Sequence, residues 1–312
     1  MTPMIKKLKE KFRSFKKDME PRVEDFKFTF NKIRNNPISI VGIGIILVFA
    51  IIAIFAPVLA PPPEDSDSSY MIPHDGYSQV PKPPSSDHIF GTTQNQYDIY
   101  YGCIWGTRTA FKIGILVVGG MLLIGTLLGS LSGYYGSIID ELIMRTVDIV
   151  IAVPAIIMAI VVVTVFGKGL FIVMGALIFA YWPYYARLIR SEILSVREKE
   201  YVESARAVGA SDFRIITRHV LPNSYQSVLV MATLDMGSMV IIASALSFLG
   251  LGAPTGYADW GGLLAFSRDY ITEPQYWFTH AFPGLFIFLY VFGWILISDA
   301  FRDITDPWLR RR

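Results

Sequence analysis

The sequence predicts an all-α membrane protein with six transmembrane helices. Its 312 residues are 53% hydrophobic and only 17% charged, whereas soluble domains are nearer a quarter charged. A soluble protein of this length would need more charge to cover its surface. Long apolar runs and an uneven distribution of basic residues, both described below, lead to the same fold class.

Six apolar segments are long enough to cross a bilayer. A hydrocarbon core of about 30 Å requires about 20 mainly apolar residues in a helix, and runs of this length without alternation indicate helices rather than strands. The predicted spans are 38–59, 111–131, 138–166, 170–189, 228–251 and 278–297. Pro154 and Pro283 lie inside two of them and can kink the helix. The first span ends in Ala56-Pro57-Val58-Leu59-Ala60, which leaves signal-peptide cleavage as an alternative.

The basic residues predict the orientation. Residues 1–37 carry eleven lysines and arginines against five acids, whereas residues 61–105 carry only Lys82 against six acids. Further arginines lie between the fourth and fifth spans, and the chain ends in Arg310-Arg311-Arg312. Basic loops remain on the cytoplasmic side. With six spans, both termini are therefore predicted to be cytoplasmic, in a multi-pass membrane protein.

This pattern divides the chain into five parts. A basic arm either lies on the anionic inner leaflet as an amphipathic helix or is a solvated topology signal. The proline-rich stretch 61–87 after the first span is predicted to be extended rather than packed, and either contacts a partner or only connects two helices. The parts are the arm 1–37, the first helix 38–60, the extracytoplasmic loop 61–105, a five-helix core 106–304 that includes the segment 197–222, and a basic tail 305–312.

Glycines recur at every fourth position of the second span, at Gly125, Gly129 and Gly133. This spacing places them on one face and allows a neighbouring helix backbone to approach closely. Two interpretations remain open, namely a helix that shifts against its neighbour during transport and a static packing contact.

Two carboxylates lie in or near apolar runs. Asp148 is close to the cytoplasmic end of the third span and Asp235 is a few residues into the fifth. A buried carboxylate in a membrane usually faces a cavity or a partner, so both are candidates for a pathway or gate. For Asp148, a pair with Arg145 at i, i+3 spacing is the structural alternative.

The segment 197–223 is predicted to form a helix–turn–helix on the cytoplasmic face. Residues 197–208 contain no helix breaker, Gly209 suits the left-handed conformation that ends a helix, and Ser211 can cap the next helix, which runs to Leu221-Pro222. Small residues at Ser204 and Ala205 permit a close fit into a groove of a partner. Three charged side chains can fix the register there: Glu203, Arg206 and Arg214.

This segment resembles the coupling loop of ATP-binding-cassette importer permeases. Glu203, Ala205, Gly209 and Leu221-Pro222 match the family pattern, whereas Ser204 replaces an alanine and His219 an isoleucine. Further motifs resemble, in order, the second permease of dipeptide, oligopeptide and nickel importers, so that the likeness covers roughly residues 30–310. They are 88–92, 106–108, 133–136, 144–148, 185–187, 246–252 and 299–307. One departure is Gln96-Tyr97-Asp98, where the family often has Gly-Arg-Asp.

The resemblance implies a type I ABC importer permease fold, a location in the plasma membrane of a prokaryote, and a set of partners. Two cytoplasmic subunits would bind ATP and Mg²⁺, and each would receive one coupling helix. In this chain that contact would be made by Glu203, Ser204, Ala205, Arg206, Gly209 and Arg214. A sister permease would supply the other half of the pathway, and an extracytoplasmic binding protein would deliver an oligopeptide, an oligosaccharide or nickel.

The residues also limit the alternatives. No GxxxxGK[ST] phosphate loop occurs, so the chain is expected to hydrolyse no ATP and hold no cofactor itself. One cysteine and four scattered histidines predict no metal site, and a net charge of +2 predicts no nucleic-acid partner. The main alternative is an ion-coupled secondary transporter or channel subunit that uses Asp148 and Asp235. An intramembrane enzyme lacks a catalytic constellation, and a non-transporting structural subunit remains open.

Overall fold

The computed structural model describes residues 36–64 and 68–305, a part of the chain that contains helices and turns but no β-strand. The predicted arm and tail therefore lie almost entirely outside the described residues. Seven helices of twelve or more residues form the bundle: α1 (Pro37–Leu59), α2 (Ile99–Tyr135), α3 (Ser137–Ile151), α4 (Ala155–Phe166), α5 (Leu170–Arg197), α9 (Gln226–Phe248) and α11 (Phe278–Thr305). Four short helices connect them: α6 (Glu200–Ala207), α7 (Asp212–Ile215), α8 (Leu221–Ser224) and α10 (Trp260–Phe266).

The predicted third span is broken in the middle. Helices α3 and α4 meet at an angle of 84°, and the break falls at Ala152–Pro154. Pro154 has no N–H to donate and disfavours helical geometry at the preceding Val153. The kink predicted at Pro154 is thus confirmed as a complete break, whereas α11 continues through Pro283.

The bent pair makes one crossing rather than a re-entrant loop. Residues before α2 and after α9 touch, since the Ile72 N–H donates to the Gly256 carbonyl and the Ala258 N–H to the Tyr70 carbonyl, at 2.8 and 2.7 Å. Both segments therefore lie at one end of the bundle, which requires an even number of crossings between them. Helices α2, α5 and α9 supply three, so α3 and α4 together supply the fourth. The described chain has the six predicted crossings.

Helix α2 begins at Ile99, seven residues before residue 106, where the five-helix core is predicted to begin. Asp98 caps the helix by accepting the Tyr101 N–H at 2.7 Å. The polar and small residues of this first part hid it from a search for apolar runs. They are buried against the connecting segments rather than in lipid, as Cys103 and Trp105 show.

The glycines of α2 form a close contact with α5. A Cβ atom at Gly129 would lie 2.5 Å from the Ala186 carbonyl oxygen of α5, and one at Gly133 would lie 3.0 Å from the Arg190 carbonyl oxygen. Gly125 faces Tyr185 in the same way. The predicted close approach of two backbones is confirmed.

The segments 60–64, 68–98 and 249–277 fold together into a structure that we call the cap. Residues 61–87 were predicted to be extended rather than packed, and nearly all side chains at 74–87 are exposed, although Ile72 and Pro81 are buried. His88 joins two parts of the cap, with Nδ1 2.8 Å from an Asp98 oxygen and Nε2 3.1 Å from an Asp75 oxygen. Hydrogen bonds and buried apolar side chains stabilise this segment. Neither produces a periodic pattern of apolar residues in the sequence.

The second segment of the cap contains a buried carboxyl group. Asp259 accepts the Gly262 N–H at 3.2 Å and so caps α10. Burial raises the pKa of Asp259, and its hydrogen bonds with Ser247, Gly262 and Gly261 offset part of that shift. Next to it Trp260 points into the bundle, where its indole N–H donates to the Cys103 carbonyl at 3.0 Å. The cap is thereby attached to α2.

Replacing Gly129 by alanine tests the glycine contact. The added methyl group would overlap the backbone of α5, so we expect Gly129→Ala to destabilise the protein by about 1–3 kcal/mol. Gly119 is the control in the same helix, because nothing lies within 4 Å of a Cβ atom there. Gly119→Ala should leave the thermal unfolding temperature in detergent unchanged or slightly higher. Equal unfolding temperatures for both variants would contradict the contact.

Candidate functional site

Residues 198–224 leave the bundle at the end opposite the cap, and we call them the projection. They follow α5, which begins beside the cap at Leu170 and ends at Arg197. They precede α9, which runs back to the cap. The projection is therefore continuous with two crossing helices and can pass a displacement directly to both.

The helix–turn–helix predicted for this segment is present, with different internal bounds. The first helix is α6, which begins at Glu200 rather than at residue 197. Gly209 has φ +81°, which confirms the left-handed turn after α6. Ser211 occupies the N-cap position of α7 but makes no capping hydrogen bond with its side chain. The second helix is α7, followed by a π-helical turn at Ile216–Val220 and by α8.

Buried residues anchor the projection to the bundle. Val202, Ile215 and Val220 are fully buried and join the main apolar core. The Tyr134 hydroxyl at the end of α2 donates to an Asp212 carboxylate oxygen at 2.7 Å. The projection is thus held on two sides, by the apolar core and by the last turn of α2.

An ion pair and a hydrogen bond to a backbone carbonyl at the same end hold α2, α3 and α5 together. The Arg190 guanidinium donates two hydrogen bonds to Asp140, at 2.5 and 2.6 Å. Such a bidentate pair is geometrically specific. The Arg197 side chain donates to the Gly133 carbonyl at 2.8 Å, next to the glycine contact. These polar groups fix the base from which the projection extends.

The outer face of the projection carries two exposed apolar side chains. Val208 is 84% and Phe213 77% exposed, one on each side of Gly209. We call Val208, Gly209 and Phe213 the tip. Five of the six residues predicted for coupling are exposed and Ala205 is half-buried; the exposed ones are Glu203, Ser204, Arg206, Gly209 and Arg214. Phe213 is not among the residues predicted for coupling. The sequence signal that could have identified it is a large aromatic side chain in a short polar helix.

The two candidate pathway carboxylates have different surroundings. Asp148 accepts a hydrogen bond from Arg187 of α5 at 2.7 Å, whereas Arg145 pairs with Glu141 at 3.6 Å. The expected Arg145–Asp148 pair is therefore wrong, because the tertiary contact with α5 places a second arginine at Asp148. Asp235 is half-buried and accepts the Tyr185 hydroxyl at 2.7 Å, and no basic residue pairs with it in the described part of the chain. Of these two carboxylates, Asp235 is therefore the one without a counter-ion among the described residues.

The described residues contain no group of three histidine, cysteine or acidic side chains that could hold a metal ion. Charged groups at the projection are also spread over its outer face rather than gathered in a cleft. This arrangement suits contact with a second protein surface.

The comparisons with known proteins agree with this geometry. Residues 125–311 match the family of binding-protein-dependent transport system inner membrane components, and residues 27–84 match the N-terminal transmembrane domain of oligopeptide transport permease C. The dipeptide transport system permease protein of Alkalihalophilus pseudofirmus is 39% identical over 93% of this chain and 92% of its own length. The oligopeptide transport system permease protein of Bacillus subtilis is 35% identical over 90% and 88%.

A solved structure gives the same result for the fold. An inward-facing form of the MetNI methionine ABC transporter superimposes with a TM-score of 0.53, over 66% of this chain and 97% of the other, at 19% identity. The type I ABC importer permease fold is therefore confirmed.

Replacing Tyr134 by phenylalanine tests the polar anchor. The variant loses one hydrogen bond to a carboxylate that is itself exposed, so we expect a cost of about 1 kcal/mol and a local effect. Backbone amides of 200–215 should exchange with deuterium faster than in the unmodified chain, while those of α5 should not. Unchanged exchange over 200–215 would show that the apolar residues alone hold the projection.

Proposed function

This chain belongs to the family of binding-protein-dependent transport system inner membrane components, and from this premise we propose how it moves a peptide across the membrane. The chain is a multi-pass permease subunit of an ABC importer. Family membership favours this function over an ion-coupled transporter or channel. The proposal concerns the partners, the orientation, the pathway and the cargo.

The observation that carries the proposal is the anchored projection with its exposed tip. Val208 and Phe213 are apolar and solvent-exposed, yet the residues around them are tightly held. A rigid, exposed aromatic side chain is typical of the centre of a protein interface. We propose that the tip inserts into a cleft of an ATP-hydrolysing subunit, with Glu203, Arg206 and Arg214 fixing the register around it.

The energy source lies outside this chain. The sequence has no phosphate-binding loop, so the nucleotide and Mg²⁺ are proposed to bind to two partner subunits. Their closure on ATP would move the projection. Because the projection continues into α5 and α9, the same movement would tilt both helices and change access to the pathway.

The orientation follows from charge. Arginines concentrate at the projection end, whereas the first segment of the cap has one lysine and an excess of acids. The projection and both termini are therefore proposed to be cytoplasmic. The cap would then be extracytoplasmic and meet the binding protein there, with exposed aromatic side chains such as Tyr77 and Trp277. A sister permease completes the pathway.

Asp235 is our candidate for a group that faces the pathway. A carboxylate within a crossing helix is unfavourable unless it faces a partner or a polar cavity, and Asp235 has a tyrosine but no cation beside it. The relatives are named as dipeptide and oligopeptide permeases, so the proposed cargo is a short peptide. Its ammonium group would supply the missing positive charge. Asp148 is satisfied by Arg187 and is the weaker candidate.

Variants of the projection test the coupling. We expect Phe213→Ala, Gly209→Pro and Glu203→Lys each to lose the ATP-hydrolysing subunits during co-purification while the chain still inserts in the membrane. The partner would fully bury the Phe213 side chain, so its loss in Phe213→Ala should weaken the contact by about 1.5–3 kcal/mol. Gly209→Pro should distort the turn, because proline cannot adopt the positive φ of Gly209.

The matched control is Val80→Ser, which removes an equally apolar exposed side chain from the cap. It should leave the ATP-hydrolysing subunits bound. If Phe213→Ala, Gly209→Pro and Glu203→Lys all retain these subunits and uptake, the projection has no coupling role.

Uptake into proteoliposomes tests the cargo and the pathway together. With the binding protein and ATP present, we expect accumulation of a short peptide in preference to an oligosaccharide or nickel. Asp235→Asn should slow peptide uptake without loss of the ATP-hydrolysing subunits, because the carboxylate lies within α9 and not on the projection. Tyr185→Phe, which removes only the hydrogen bond to Asp235, should have a smaller effect. Normal uptake by Asp235→Asn would exclude the residue from the pathway.

A further inference from the structure

A groove between α1 and α2, on the membrane-facing side of the bundle, contains a cationic group. The groove has a volume of about 360 Å³ and lies near the cap end. Its walls are mostly alkyl and aromatic, and one guanidinium group enters it. The lining residues are Ala50, Ala53, Ile54, Tyr70, Arg108 and Phe111.

Part of the role of Arg108 is structural. Pro57 lies inside α1 and has no N–H for the Ala53 carbonyl one turn earlier. The Arg108 Nε donates to that carbonyl at 2.5 Å, and Nη2 donates to the Ile54 carbonyl at 3.2 Å. The guanidinium thus joins α2 to the point where proline interrupts α1. It retains N–H groups that make no hydrogen bond within the described residues.

A second cation lies one turn further along α2. The Lys112 ammonium is 4.3 Å from the centre of the Tyr70 ring, and Tyr70 lines the groove. The long side chain therefore reaches toward the cap from a deeper position in the helix. Neither Arg108 nor Lys112 forms an ion pair in the described part of the chain. The Arg108 guanidinium lies 4.9 Å from the centre of the Trp105 ring, so each cation contacts an aromatic ring and neither has an anionic partner among the described residues.

The surroundings determine which anion fits. Ile54 is 66% and Ile115 58% exposed beside the groove, and α1 as a whole is little covered by protein. This surface lies within candidate crossing helices and so faces lipid tails. A free phosphate ion would have to lose its water between alkyl side chains, whereas a lipid brings its own acyl chains to them.

We propose that this groove binds an anionic glycerophospholipid, whose phosphate diester contacts Arg108 and Lys112 while its acyl chains lie along Ile54 and Phe111. The net negative charge of the headgroup matches two cations without a carboxylate partner. Bound there, the lipid joins α1 to α2 beside the interruption at Pro57. The site is independent of the cargo and of the projection.

Photoactivatable phosphatidylglycerol tests the site in the full chain, reconstituted and mapped by peptide mass spectrometry. We expect adducts on residues 50–58 and 108–115, and fewer with phosphatidylcholine of the same acyl chains. Lys112→Gln should reduce the phosphatidylglycerol adducts about fivefold, because it removes one cation and leaves the bonds of Arg108 to α1. Lys112→Arg should restore them. Lys168→Gln is the control, since Lys168 is an exposed lysine away from the groove.

Other results would overturn the proposal. Equal labelling by both lipids would show that the headgroup charge has no effect. Unchanged labelling in Lys112→Gln, or an equal loss in Lys168→Gln, would show that this cation does not hold the lipid. Displacement of the labelled lipid by millimolar inorganic phosphate would identify a phosphate site instead. Elution at the normal volume in size-exclusion chromatography shows that each variant is folded.

Discussion

The close contact between α2 and α5 is the constraint on which the rest of this structure depends. Glycines on α2 leave no side chain between the two backbones, and the Ala186 carbonyl fills the place where a Cβ atom would be. Backbones packed at this distance cannot separate without opening a void. The two helices therefore move as one body, with the cap at one end and the projection at the other.

Several functional groups are attached to this body. Tyr185 packs on Gly125 with its Cβ atom, and its hydroxyl donates a hydrogen bond to Asp235 of α9. At the other end Arg197 bonds to the Gly133 carbonyl and Tyr134 to Asp212. The candidate pathway residue and the projection are thus linked to the same helix pair. A pull on the projection would reach α9 both along the chain and through this pair.

The sequence was sufficient for features that depend on periodicity and on single special residues. Apolar runs predicted the crossings, Pro154 predicted the break, and Gly209 predicted the left-handed turn. The sequence was insufficient where a feature depends on contacts between residues far apart in the chain. Asp148 pairs with Arg187 of another helix rather than with its neighbour Arg145, and the cap forms through contacts between segments far apart in sequence. The exposure of Phe213 depends on which neighbours bury the rest of the projection.

The most direct test of mechanical coupling is a cross-link from position 208 in the assembled transporter. Cys103 is the one native cysteine and is buried, so a benzophenone maleimide on Val208→Cys would label a single exposed site. The account predicts an adduct with an ATP-hydrolysing subunit, and none from the same probe on Tyr77→Cys in the cap. The absence of any adduct from position 208 in an ATP-hydrolysing transporter would contradict the account.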